Sequence, residues 1–251
     1  MGREKTSKRS IPIIGQAQYV IIAILAIVIT VIGFWQSYFG PFFYGTLDAH
    51  WAIHLHTAIF MIWLVLFLGQ AVIAYKKKIV KHISVGTYFG IPWGAVILII
   101  GFFITFAVII PGIGREHTVD DYASSLLGSL GDIITFGIFF IAAVIYRGKP
   151  DSHKRLMVLA TVALLGAPVA RLGLFGGVTE IAIFIILRLL PLIVAMGYDR
   201  WLRNKVHTVY WIGLGILFLN ISRLFWARTE TWQTIGTQIT KGMKPVMESI
   251  F

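Results

Sequence analysis

The chain has 251 residues, of which 57% are hydrophobic and only 13% charged; its formal net charge is +11 and it contains no cysteine. A soluble domain carries about a quarter charged residues, so the composition excludes an ordinary globular domain and points to a bilayer. The basic residues fall in short clusters between apolar runs, which orient spans and exclude nucleic acid as a partner. The missing thiols exclude disulfides, Cys-ligated iron–sulfur clusters and C-x-x-C-H haem attachment.

Residues 1–17 form a basic tail with Arg3, Lys5, Lys8 and Arg9. The apolar run 18–39 follows. Bulky Trp35, Tyr38 and Phe39 stand where a signal peptide would need small residues for cleavage, so this run reads as a retained anchor helix. Further apolar runs span 51–74, 85–110, 126–146, 156–176, 179–198 and 208–226. Each is long enough to cross about 30 Å of hydrocarbon at 1.5 Å per residue. Short connections make neighbours antiparallel. The expected fold is an all-α membrane protein, a seven-transmembrane-helix bundle of antiparallel hairpins over 18–226.

Orientation follows from Lys and Arg. Fifteen lie on the side of the N-terminus and of the turns at 76–81, 147–155 and 200–205; Arg115, Arg228, Lys241 and Lys244 lie on the other. The positive-inside rule then predicts a cytoplasmic N-terminus and an outer C-terminus. The tail 227–251 places Trp232, Ile235, Ile239, Met243, Met247 and Ile250 at helical spacing, broken by Pro245. This amphipathic stripe predicts a helix lying on the outer membrane surface.

Three basic turns repeat a pattern in which a Tyr closes one helix and a His opens the next: Tyr75 and His82, Tyr146 and His153, Tyr198 and His207. Headgroup anchoring accounts for the tyrosines and the basic residues. If the three turns converge, His82, His153 and His207 form a three-nitrogen metal site with an open position. At the other end, His50 and His54 are four apart and share a helical face, while His56 points about 200° away from His54. His117 lies in the outer loop with Asp120 and Asp121.

Buried charge is the sharper signal. Arg171, Arg188 and Arg223 fall inside the fifth, sixth and seventh runs, and Asp132 near the outer start of the fourth. Each arginine costs roughly 2.5–3.5 kcal/mol at the bilayer centre, so such residues face the bundle and have partners. Counted from the basic turns, Arg171 and Arg223 lie about 24–27 Å up, level with His54 and Asp132. Asp132 and Glu180 are outnumbered by the arginines, which leaves room for an anion: haem propionates, a lipid phosphate or a small anion. Backbone carbonyls together with Asp132 and Glu180 could equally hold the three as internal glue.

The segments HLHTAIFMIWLVLFLGQAVIAYKKKIVKHISVG, YRGKPDSHKRLMVLATVALL and YDRWLRNKVHT resemble a group of bacterial multi-pass membrane proteins of unassigned function. The resemblance runs over most of residues 50–225. It implies that His54, His56, His82, His153 and His207 belong to a shared pattern and that the chain resides in a bacterial inner membrane; it implies no activity. The leading expectation is a redox or metal-dependent membrane protein holding haem b or a divalent metal ion, with a His/Arg/Asp site in the outer half. The rival is a transporter or binding protein for an anionic lipid or small anion, with the arginines selecting the ligand. An accessory subunit of a membrane complex is the third possibility.

Overall fold

The computed structural model describes residues 14–108, 119–173 and 177–250. Among them the chain is helical, with no strand. Helix α1 (Ile14–Gly33) continues through a π-helical turn (Trp35–Phe39) into the short α2 (Gly40–Phe43). The two parts are bent by 56°. Next come α3 (Trp51–Tyr75), α4 (Ile79–Val85), a π-helical turn (Gly86–Gly90) and α5 (Ile91–Ala107). The chain goes on through α6 (Val119–Ile145), α7 (Pro150–Ala163), α8 (Gly166–Ala170), α9 (Val178–Arg203), α10 (Thr208–Trp226) and α11 (Glu230–Glu248).

Among the described residues six spans are long and apolar enough to cross a membrane, and a seventh if the bent pair counts as one. The expected run at 156–176 is divided: α7 ends at Ala163, and after the turn at Leu164–Leu165 the short α8 resumes at Gly166. Its last residues, 174–176, and the outer loop with His117 lie outside the described residues.

Burial decides which helix is central. In the span Pro150–Ala170, 67% of the apolar window is buried, against 22–39% for the others. That span has a mean hydropathy of only 1.3, and of the other five only Thr208–Trp226, at 1.4, comes near it; the rest lie between 2.0 and 2.4. A central helix meets protein on every side and can use small and polar residues; a peripheral one must be apolar where it meets lipid. Val158, Leu159, Ala160 and Ala163 are buried against Phe136, Leu192, Tyr210 and Leu217. Exposed Ile62, Val65, Ile99, Ile134, Ile138, Ile186 and Leu219 lie on the outside of the surrounding helices. An apolar surface this extensive suits lipid, not water.

Glycines let α5 seat closely on α6: a Cβ on Gly94 would stand 2.1 Å from the Phe140 ring, and one on Gly101 2.3 Å from Ile133. Small residues at such crossings are how membrane helices approach. Pro245 lies inside α11 rather than ending it. The tail's stripe also divides. Trp232, Ile239, Met243 and Met247 pack with Phe106 and Leu126 of α5 and α6, and Trp232 Nε1–H donates to the Ala123 carbonyl at 2.7 Å. Ile235 and Ile250 stay exposed. Amphipathic spacing alone suggested a membrane surface under this stripe; much of it rests on the protein's own helices.

Candidate functional site: a buried Arg–Asp–Arg centre

The turns α3–α4, α6–α7 and α9–α10 gather at one end of the bundle, where Arg203 of α9 pairs with Asp151 of α7 at 2.9 Å. This is the basic end. At the opposite end α6, α9 and α10 bring five polar side chains together. Arg188 Nη2 donates to Asp132 Oδ1 at 2.6 Å and to Asn220 Oδ1 at 2.7 Å, with the Ala163 carbonyl at 3.4 Å. Arg223 Nη1 donates to the same two oxygens, at 2.7 and 2.8 Å. Asn220 Nδ2 donates to Thr135 Oγ1 at 2.9 Å.

Arg188 is 0% exposed, and Asp132, Thr135 and Asn220 are buried. Arg223 retains 12% of its side-chain exposure and forms the open edge of the centre. The break between α7 and α8 has a direct role here. It sets Gly166 against the carboxylate, where a Cβ would be 2.3 Å from Asp132 Oδ2 and 3.1 Å from Arg188 Cζ. Gly131 opens space in the same way for Arg223 Nη1, 2.9 Å from its would-be Cβ. Arg188 Nε is buried without a hydrogen-bond partner among the described residues. Two guanidinium groups therefore share one carboxylate oxygen, and among the described residues the cluster holds two cations to one carboxylate.

The other expected members sit elsewhere. Arg171 follows α8, exposed, with its guanidinium carbon 5.0 Å from the centre of the Phe34 ring. Glu180 Oε2 is buried without a hydrogen-bond partner among the described residues. His50 caps α3, its Nδ1 accepting from Ala52 N–H at 3.3 Å. His54 Nδ1 lies 2.8 Å from the Tyr38 hydroxyl. The His56 ring lies against Phe60, tilted by 42°, with ring centres 4.3 Å apart. His54 and His56 thus face different partners, as their spacing requires.

At the basic end the three histidines meet different partners. The rings of His82 and His153 stand 6.3 Å apart and nearly perpendicular. His153 Nδ1 is 2.8 Å from the Ala143 carbonyl and His82 Nδ1 is 3.3 Å from that of Gln70, so each ring reaches back to the preceding helix. His207 instead caps α10, its Nδ1 accepting from Val209 N–H at 3.2 Å. Among the described residues no three His, Asp or Glu side chains gather as a metal site needs.

Sequence reasoning passed over one feature. Arg155, counted there with a basic turn, is fully buried, as is Asp199. Arg155 Nε donates to Asp199 Oδ2 at 2.8 Å and its Nη2 to Oδ1. The Tyr210 ring lies 5.5 Å beneath the guanidinium. Asp199 also accepts from the His207 N–H at 3.3 Å, which ties the start of α10 to the end of α9. The available signal was Asp199 itself, an acidic residue among basic ones in a turn that otherwise orients the chain.

Comparison with protein-family models, curated proteins and solved structures finds no match, so the geometry alone carries the functional reading.

Proposed function

We propose that the chain is a seven-span bacterial inner-membrane protein, N-terminus inside, that binds an anionic group at the Arg188–Asp132–Arg223 centre. One observation carries this reading: two arginines share a single carboxylate oxygen in a buried setting. Arginine is held in a membrane interior only with compensation, and the charge left over here is positive. Its planar fork suits a carboxylate or phosphate bidentately. Arg188 is locked by three acceptors. Arg223, at the open edge, is the arm that exchanges Asp132 for an incoming anion. Transport follows if the exchange is coupled to movement of α10; binding alone does not require it.

The test is thermal unfolding of purified protein with a panel of carboxylates, phosphate and sulfate. An anion at a hundredfold its Kd stabilises by about 2.7 kcal/mol. Arg223→Lys should weaken the effect while leaving the protein folded. If no anion shifts the melting temperature, the centre is internal glue.

The His82–His153 pair favours a second reading, a haem or metal ion at the basic end. Tying Nδ1 to a backbone carbonyl, as at His153, leaves Nε2 as the ligating nitrogen. Two imidazoles match the axial demand of a haem better than the four donors of structural zinc. A Soret band in the purified protein, lost in His153→Ala, supports this reading; a colourless, metal-free protein removes it.

A further inference from the structure

The bend that ends α1 opens a second feature, separate from the buried centre. A cavity of about 380 Å³ lies between α1 and the end of α8, lined by Ile32, Gly33, Trp35, Gln36, Arg171 and Leu172. Its wall is rigid because Gly33 rests directly on α8: a Cβ there would lie 2.2 Å from the Pro168 carbonyl oxygen. Only a glycine permits that approach. The same contact holds Arg171, one turn beyond Pro168, at the rim. There the Phe34 ring fixes the guanidinium's position at 5.0 Å.

The cavity's depth in the bundle matters. From Pro150 at the basic end to Arg171 is roughly 30 Å at 1.5 Å per residue, the thickness of the hydrocarbon core. Arg171 and Trp35 thus stand at headgroup level, where tryptophan is favoured and arginine meets phosphate. Below the cavity, Ile32 (58% exposed), Val28 (43%), Ile24 (48%) and Ile21 (43%) form one continuous exposed stripe down α1. Their spacing of four, four and three residues keeps them on one face of the helix.

We infer that this cavity seats the phosphate of an anionic phospholipid, with Arg171 as its partner and an acyl chain lying along Ile32, Val28, Ile24 and Ile21. A free phosphate would use the arginine but not the stripe; a zwitterionic lipid would use the stripe with less of the charge. The inference does not depend on the Arg188–Asp132–Arg223 reading, since Arg171 and Arg223 belong to different clusters.

The experiment is native mass spectrometry of the full-length protein in detergent, titrated with phosphatidylglycerol or phosphatidylcholine. Phosphatidylglycerol should be retained about fivefold more tightly, the effect of one basic residue at a charged surface. Arg171→Gln should abolish the preference and Arg171→Lys should keep part of it. Quenching of Trp35 by brominated phosphatidylglycerol, taken as the difference between wild type and Trp35→Phe, gives a readout that leaves Arg171 intact. Equal retention of the two lipids, a preference that survives Arg171→Gln, or no Trp35-specific quenching overturns the inference. Displacement of phosphatidylglycerol by equimolar inorganic phosphate also overturns it, because the stripe would then contribute nothing.

Discussion

Arg188 and Asp132, 56 residues apart in sequence, meet at 2.6 Å in a part of the bundle closed to solvent. The contact joins α9 to α6, and Arg223 brings α10 to the same oxygen. A buried pair of this kind adds little net stability over packed apolar side chains, but its rupture strands a charge. The centre therefore constrains how three helices may rotate against one another, and it holds Arg223 at the edge where an anion can reach it.

Removing the carboxylate should be severe. Asp132→Asn keeps the shape but leaves Arg188 and Arg223 without their shared counter-charge, which should cost about 3–5 kcal/mol. Thermal unfolding in detergent measures this. The double variant Asp132→Asn/Arg188→Met should recover part of the loss, since it removes the more deeply buried stranded charge. An unchanged melting temperature in Asp132→Asn would show that other groups hold the arginines.

Gly166→Ala should disturb the centre without replacing a charged residue. The new methyl would overlap Asp132 Oδ2, which must shift away from both arginines. Overpacking of this kind costs about 1–3 kcal/mol. Gly69→Ala is the control, because nothing lies within 4 Å of its would-be Cβ; it should be neutral or gain up to about 1 kcal/mol from helix propensity. Similar melting temperatures for the two variants would refute the close contact at Gly166.

His207 predicts a pH dependence. Burial, followed by the nearby Arg155 charge, holds its pKa below the ordinary imidazole value of 6.5. The unfolded chain therefore takes up this proton more readily than the folded one. The stability contribution is complete above about pH 6.5 and is lost as the pH falls through the folded pKa. Protonation also removes the lone pair that accepts from Val209 N–H. Asn caps a helix without titrating, so His207→Asn should flatten the acid limb of melting temperature against pH. Superimposable limbs in the two proteins would assign the acid loss to other groups.

Topology is testable with reporter fusions. Junctions after Lys78, Gly148 and Asn204, all in turns at the basic end, should report cytoplasm, and a junction after Gly177 should report the outside. A cytoplasmic signal at Gly177 would overturn the orientation, because alternation ties each loop to the next.

Hydropathy and charge spacing by themselves determined that this is a helical membrane protein, where its spans lie to within about six residues, and that arginines within the runs need partners. These properties are local: about twenty apolar residues cross a bilayer whatever surrounds them. The partners were decided only by tertiary structure. Whether Asp132 meets Arg188, or Arg155 meets Asp199, depends on how helices far apart in sequence are rotated about their axes, and spacing along one helix does not encode that. Arg171 follows α8, which resumes after the break at Leu164–Leu165, and its guanidinium lies against Phe34. His207 caps α10, while His82 and His153 turn back towards carbonyls of the helices before them. Three similar turns thus differ in what their imidazoles meet: His82 and His153 turn to the carbonyls of Gln70 and Ala143, while His207 accepts from Val209 N–H, and only the fold sets which.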